Sequence, residues 1–93
     1  MDTQKNRKMA NGNALSELAG KRTVAGAKQL RKALQTGMAK QVFLALNADP
    51  AITEPIEALC QQYNVEYAWV RSMTDLGRAC GIEVGAAAAA AVD

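Results

Sequence analysis

Gly85-Ala86-Ala87-Ala88-Ala89-Ala90-Ala91-Val92 is the stretch on which the fold turns. Intrinsic propensity reads six consecutive alanines as helix. Their position argues the other way, because they follow a glycine and close a chain of alternating strand-like and helix-like segments. We read 86–91 as a buried strand whose small side chains let flanking helices approach closely. With that reading the alternation is complete, and the chain is an α/β protein built as a three-layer α/β/α sandwich.

The preceding segments supply the rest of the alternation. Ser72 and Asp75 give a capping-box-like start to a short helix with Leu76, Ala79 and Cys80 facing inward, stopped by Gly81. Val65 to Val70 reads as a strand, on which Tyr67 and Trp69 are packing residues. Thr53 is expected to start a helix with Pro55 in its first turn and Ile56, Leu59, Cys60 and Tyr63 on its inner face. Asn47-Ala48-Asp49-Pro50 is a turn, and Val42-Phe43-Leu44-Ala45-Leu46 is an uninterrupted apolar run typical of a strand covered on both faces. Gly26 opens a helix that turns Leu30, Ala33 and Leu34 inward and ends at Gly37, after a short strand at Thr23-Val24. Asn13 can cap a short helix carrying Leu15 and Leu18, closed by Gly20. Residues 1–12 read as a flexible basic tail, and 13–93 as a single domain.

Ninety-three residues allow one modest core, which buries roughly 60–65% of the unfolded surface. No run of eighteen apolar residues is present, so no membrane span is expected, and the polar start has no apolar signal region. A cytoplasmic protein is expected. Two cysteines, Cys60 and Cys80, sit at apolar helical positions and read as reduced core thiols. There is no histidine and no Cys-x-x-Cys, which argues against zinc and removes the commonest general base near neutral pH. Ser72 with Asp75, and Glu54 with Glu57, are better explained as helix-start chemistry than as catalytic pairs. No cofactor and no enzymatic activity are expected.

The net charge of +2 conceals an asymmetry. Residues 1–40 carry nine Lys or Arg against Asp2 and Glu17, whereas residues 41–93 carry two Arg against seven acids. Such a split suggests an acidic partner for the basic part, either nucleic acid or a protein surface; on charge alone a solvated basic tail and helix face is the equal alternative. Two segments concentrate the chemistry. Gly26-Ala27-Lys28-Gln29-Leu30-Arg31-Lys32 puts a glycine and three cations at a helix start, where free N–H groups favour phosphate. Lys28 and Lys32, four apart, share a face. Leu76-Gly77-Arg78-Ala79-Cys80-Gly81-Ile82-Glu83-Val84-Gly85 ends a helix and then exposes an apolar–acidic–apolar tripeptide.

These residues resemble the kink-turn RNA-binding ribosomal protein family, the large-subunit L-seven-A-e group, and within it the small bacterial ribosome-associated members. The resemblance covers roughly residues 14–92. It is carried by the segment from Leu76 to Ala87, supported by Gly26 to Lys32 and by Ala48-Asp49-Pro50. It implies a mixed four-stranded sheet and binding to kink-turns, RNA duplexes bent sharply at a three-nucleotide bulge beside sheared G·A pairs. On that resemblance Gly26 is the helix-opening glycine, Lys32 matches the family lysine one turn on, and Ile82, Glu83 and Val84 match the loop that covers bulged nucleotides. Lys28 stands where archaeal members usually have Asn, and Gln29 where they usually have Glu. A neutral amide can accept from a guanine edge without the charge-assisted strength of a carboxylate. The expected RNA-binding set is Gly26, Ala27, Lys28, Gln29, Arg31, Lys32, Ile82, Glu83, Val84 and Gly85. The expected partner is a kink-turn in ribosomal RNA, a riboswitch or a messenger leader, with the ribosome as a further partner and the protein as a monomer. The competing reading is a protein-interaction domain of the same fold without specific RNA binding.

Overall fold

The computed structural model describes residues 8–10, 18 and 22–92. In chain order the elements are β1 (Thr23–Ala25), α1 (Ala27–Gln35), β2 (Gln41–Ala45), α2 (Pro50–Tyr63), β3 (Tyr67–Val70), α3 (Met73–Ala79) and β4 (Ala88–Ala91). The four strands form one mixed sheet in the order β1-β4-β2-β3. β2 and β3 are parallel and joined by α2, while β4 lies antiparallel between β1 and β2. This is the α/β/α sandwich expected from the alternation.

Strand periodicity divides the core into two layers. Val42, Leu44, Trp69, Ala88 and Ala90 face α1 and α2, meeting Leu30, Leu34, Ile56 and Cys60. Phe43, Ala45, Ala68, Val70, Ala89 and Ala91 face the other way, against Leu76 of α3 and Leu18. Every residue of β4 is buried, and three of the four have no exposed surface. These alanines therefore form a strand despite their helical propensity. β4 pairs along both sides and is covered on both faces, so tertiary burial outweighs a preference worth less than about 1 kcal/mol per residue.

Several local expectations are corrected. α2 starts at Pro50, not Thr53: Asp49 is its N-cap, with Oδ1 accepting from the Ala51 N–H at 3.0 Å, and Pro50 takes the first helical position. Thr53 is instead buried within the helix, and Pro55 lies in the helix interior, where its ring leaves the Ala51 carbonyl without an i+4 donor. Tyr63 is on the surface, and Leu46 is an exposed turn residue beyond β2. β3 begins at Tyr67, two residues later than expected, and β4 at Ala88.

Of the expected tail, residues 8–10 run beside β3: the Trp69 N–H donates to the Lys8 carbonyl (2.7 Å) and the Ala10 N–H to the Trp69 carbonyl (2.8 Å). The free edge of β3 supplies these partners, so this part of the segment is tied to the sheet. Residues 1–7 and 11–12, and the Asn13 helix apart from buried, helical Leu18, lie outside the described residues.

The tight fit around β4 has a measurable consequence. Ala90→Leu adds three carbons at a position fully buried against the α1–α2 layer. It should destabilise the protein by about 1–3 kcal/mol or more, an overpacking cost. Thermal unfolding measures this, and an unchanged melting temperature would show that the layer is loosely packed.

Candidate nucleic-acid interface

β1 passes to α1 through Gly26, whose backbone has φ 98° and ψ 142°. A Cβ built at Gly26 meets nothing within 4 Å, so the glycine is required by its backbone angles, not by lack of space. Its N–H donates to the Ala88 carbonyl at 3.1 Å, and its carbonyl accepts from the Leu30 N–H at 3.0 Å. No side chain caps this helix, and its first turn holds no acidic residue. The positive end of α1 thus faces outward without a neutralising group of its own.

Lys28, Gln29, Arg31 and Lys32 are all exposed. Together with Gln35 they line an open depression of about 550 Å³. Arg31 lines it with Lys28 and Lys32, although the helical spacing gives it a different direction. Ala27 is half-buried and packs on the core beneath the helix start.

The second segment is a loop seated on α3. The Ile82 N–H donates to the Gly77 carbonyl and the Ala86 N–H to the Met73 carbonyl, both at 3.0 Å. A Cβ at Gly77 would overlap the Val84 carbonyl oxygen, and one at Gly85 would stand 3.1 Å from the Met73 Cβ. These two glycines let the loop lie directly on the helix. Gly81, with φ 78°, reverses the chain between helix and loop. With the backbone held inward, Val84 is 70% exposed and stands clear of the core, while Ile82 is 37% exposed. Glu83 and Gly85 are exposed as well.

The Gly26–Ala88 hydrogen bond brings the two segments to one edge of the sheet. Gly85 precedes Ala88 by three residues, a span of at most about 10 Å. β2 and β3 also end at this edge: the Ala45 N–H donates to the Ala87 carbonyl (2.9 Å) and the Leu46 N–H to the Val70 carbonyl (2.8 Å). Here the Asn47 Oδ1 accepts from the Met73 N–H at 2.9 Å and holds the start of α3. Met73, Gly77 and Asn47 support the loop but escaped sequence reasoning. An isolated glycine inside the helical pattern at position 77 was the available signal.

Burial, and secondarily the nearby Glu57 charge, push the Cys60 thiol up to about 11, and burial raises Cys80 as well. Both are therefore poor nucleophiles. Among the described residues, no group of three or more Cys, Asp or Glu side chains is placed to hold a metal ion. No described helix is long and apolar enough to cross a membrane.

Residues 8–93 match the ribosomal protein L7Ae/L30e/S12e/Gadd45 family, and the chain belongs to it. It is 48% identical over 67 residues to an RNA-binding protein of Bacillus pumilus, covering 72% of this chain and 82% of that one. It is 47% identical over 72 residues to the RNA-binding protein YbxF of Geobacillus stearothermophilus, covering 77% and 87%. Among solved structures, the Giardia lamblia 15.5kD RNA binding protein superposes with a TM-score of 0.79 at 27% identity, covering 91% of this chain and 78% of that one.

The seating of the loop yields a direct test. Gly77→Ala places a methyl on the Val84 carbonyl, so the loop must lift from α3. We expect a loss of about 1–3 kcal/mol in stability and a rise in amide exchange at Ile82 and Ala86. Unchanged exchange at those amides would mean that the loop is not held by this seat.

Proposed function

We propose that the protein is a non-catalytic RNA-binding module that recognises kink-turns in structured RNA and works in association with the ribosome in the cytoplasm. The observation that carries this reading is the Gly26–Ala88 hydrogen bond, which sets an uncapped, cation-bearing helix start beside an exposed apolar loop. The names of its relatives in Bacillus, Geobacillus and Giardia support RNA as the partner.

The division of labour follows from the side chains. Lys28, Arg31 and Lys32 neutralise phosphates around the kink, and the N-terminal N–H groups of α1 add their partial positive charge. Gln29, at the helix start, offers both an amide donor and a carbonyl acceptor to the edges of sheared G·A pairs. Gly26 and Ala27 keep the helix start close to the RNA by offering no bulk. Ile82 and Val84 cover an unstacked base with apolar surface, and Glu83 and Gly85 orient the loop. Ordinary A-form duplex hides its base edges in a narrow major groove, so a distorted site suits this surface better than a regular one. Ribosome association rests on family membership and is tested by co-sedimentation of the endogenous protein with ribosomal particles.

Lys32→Ala should weaken kink-turn binding and reduce the slope of log affinity against log salt by about 0.7–0.9 for each phosphate no longer neutralised. An unchanged slope and affinity would place Lys32 on an idle surface. Replacing the sheared G·A pairs by Watson–Crick pairs should weaken binding far more. Equal affinity for both RNAs would reduce the protein to a nonspecific polycation, or to a protein-interaction domain if both are weak.

Val84→Asp should leave the melting temperature nearly unchanged, because the side chain is exposed. It should lower kink-turn affinity by about 10-fold or more, since a carboxylate would be desolvated against a base beside phosphates. A variant that stays folded and binds normally would remove the loop from the interface.

A further inference from the structure

A second depression lies on the flank between α1 and β1, outside every residue that the motifs single out except Gln29 and Lys32. It encloses about 240 Å³. Val24 and Met38 contribute to an apolar floor, Arg22 and Lys32 are its cations, and Gln29 and Thr36 its neutral polar groups. No acidic side chain lines it among the described residues. Met38 is 48% exposed, a large apolar side chain left on the surface by the core.

The flank runs the height of the sheet. At one end Gly26 bonds to Ala88, and at the other the Val92 N–H donates to the Arg22 carbonyl at 3.0 Å. Four residue steps along β4 separate these ends, about 14 Å. Gln29 and Lys32 also line the larger cationic depression on α1, so the two surfaces are continuous.

We propose that this flank is a second RNA-binding surface, which holds the ribose–phosphate backbone of a duplex stem adjoining the kink; the inference rests on the RNA-binding reading above. A stem lying along the flank carries on the order of eight phosphate charges over this length, about four on each strand. Arg22 and Lys32 are the cations that meet them. The Thr36 hydroxyl already donates within its own helix, to the Lys32 carbonyl (3.0 Å) and the Ala33 carbonyl (3.3 Å). Its lone pairs are left to accept, and a ribose 2′-hydroxyl is a matching donor. The apolar floor suits the carbon face of a ribose. A peptide strand fits less well, because β1 offers a template of three residues, at the short end of strand lengths.

The test titrates the full chain with a kink-turn RNA carrying short stems and with versions in which each stem is lengthened in turn. One further version carries 2′-deoxynucleotides in the added part. Arg22→Gln and Met38→Glu are the variants; the second keeps the proposal testable if the first disturbs folding, and melting curves accompany both. Wild-type protein should bind one lengthened RNA more tightly, and the deoxy version, which keeps its phosphates but lacks the 2′-hydroxyl donors, should lose part of that gain. Each variant should bind the lengthened RNA roughly 3-fold more weakly at moderate salt, with a flatter salt slope, and bind the short RNA as wild type does. Equal wild-type affinity for short and lengthened RNAs would overturn the inference. So would folded variants that bind the lengthened RNA normally, which would leave the groove to a protein segment. If kinked and straightened RNAs bind alike, the kink-turn reading fails on its own. A straight duplex of the same length then decides the flank: sensitivity to both variants sustains it, and insensitivity removes it.

Discussion

Strand β4 is the constraint on which the rest of the molecule depends. It lies between β1 and β2, hydrogen-bonded on both sides, with helices over both faces. Its four side chains are all methyl groups, and all four residues are buried. Because they are small, the α1–α2 layer and the α3 layer both close onto the sheet. The same strand anchors both halves of the candidate interface. Its first carbonyl, on Ala88, receives the Gly26 N–H, and the exposed loop runs directly into it. A side chain that forced the layers apart would also pull the helix start away from the loop.

The interface divides its chemistry between two supports of different kind. Charge is carried on the outer face of α1, where long side chains stay solvated and reach outward. The apolar contribution comes from a loop whose backbone is bonded to α3 at Gly77 and Met73. Val84 stays in water after folding and so adds little burial to stability; backbone hydrogen bonds to Gly77 and Met73 hold the loop instead. A single exposed apolar side chain needs no explanation. Val84 and Ile82 together, beside an uncapped and cationic helix start, present a surface suited to an anion with an unstacked base.

Much of this was legible in the residues because local chemistry and tertiary role agreed. Gly26 ahead of an apolar-periodic run, Ser72 before Met73 and the buried run from Val42 to Ala45 all behave as their types suggest. The reading failed where two local signals competed. Pro50 and Pro55 both suit a first helical turn. Asp49 decides for Pro50, since its carboxylate caps the helix at 3.0 Å, and Pro55 is left inside at the cost of a hydrogen bond. Tyr63 fits the inner face by periodicity but stands at the last position of α2, where the helix outruns the core. Residues 8–10 look like tail because nothing local to them signals a strand; the open edge of β3 supplies their partners.

By itself, the sequence determined the alternation of elements, most of the inward residues, the cationic face of α1 and the sharp stop at Gly81, because periodicity, capping and backbone freedom are properties of neighbouring residues. The resemblance to a ribosomal protein family was likewise contained in two short segments. Tertiary structure alone decided that only Ala88–Ala91 of the alanine run pairs as a strand, that Gly77 is a seat for the loop, and that Arg22 and Met38 share a groove with Lys32. Each of these depends on groups far apart in the chain meeting across the sheet. Propensity and spacing describe what a segment prefers alone, whereas burial on both faces of β4 and the space left against α3 are set by what surrounds it.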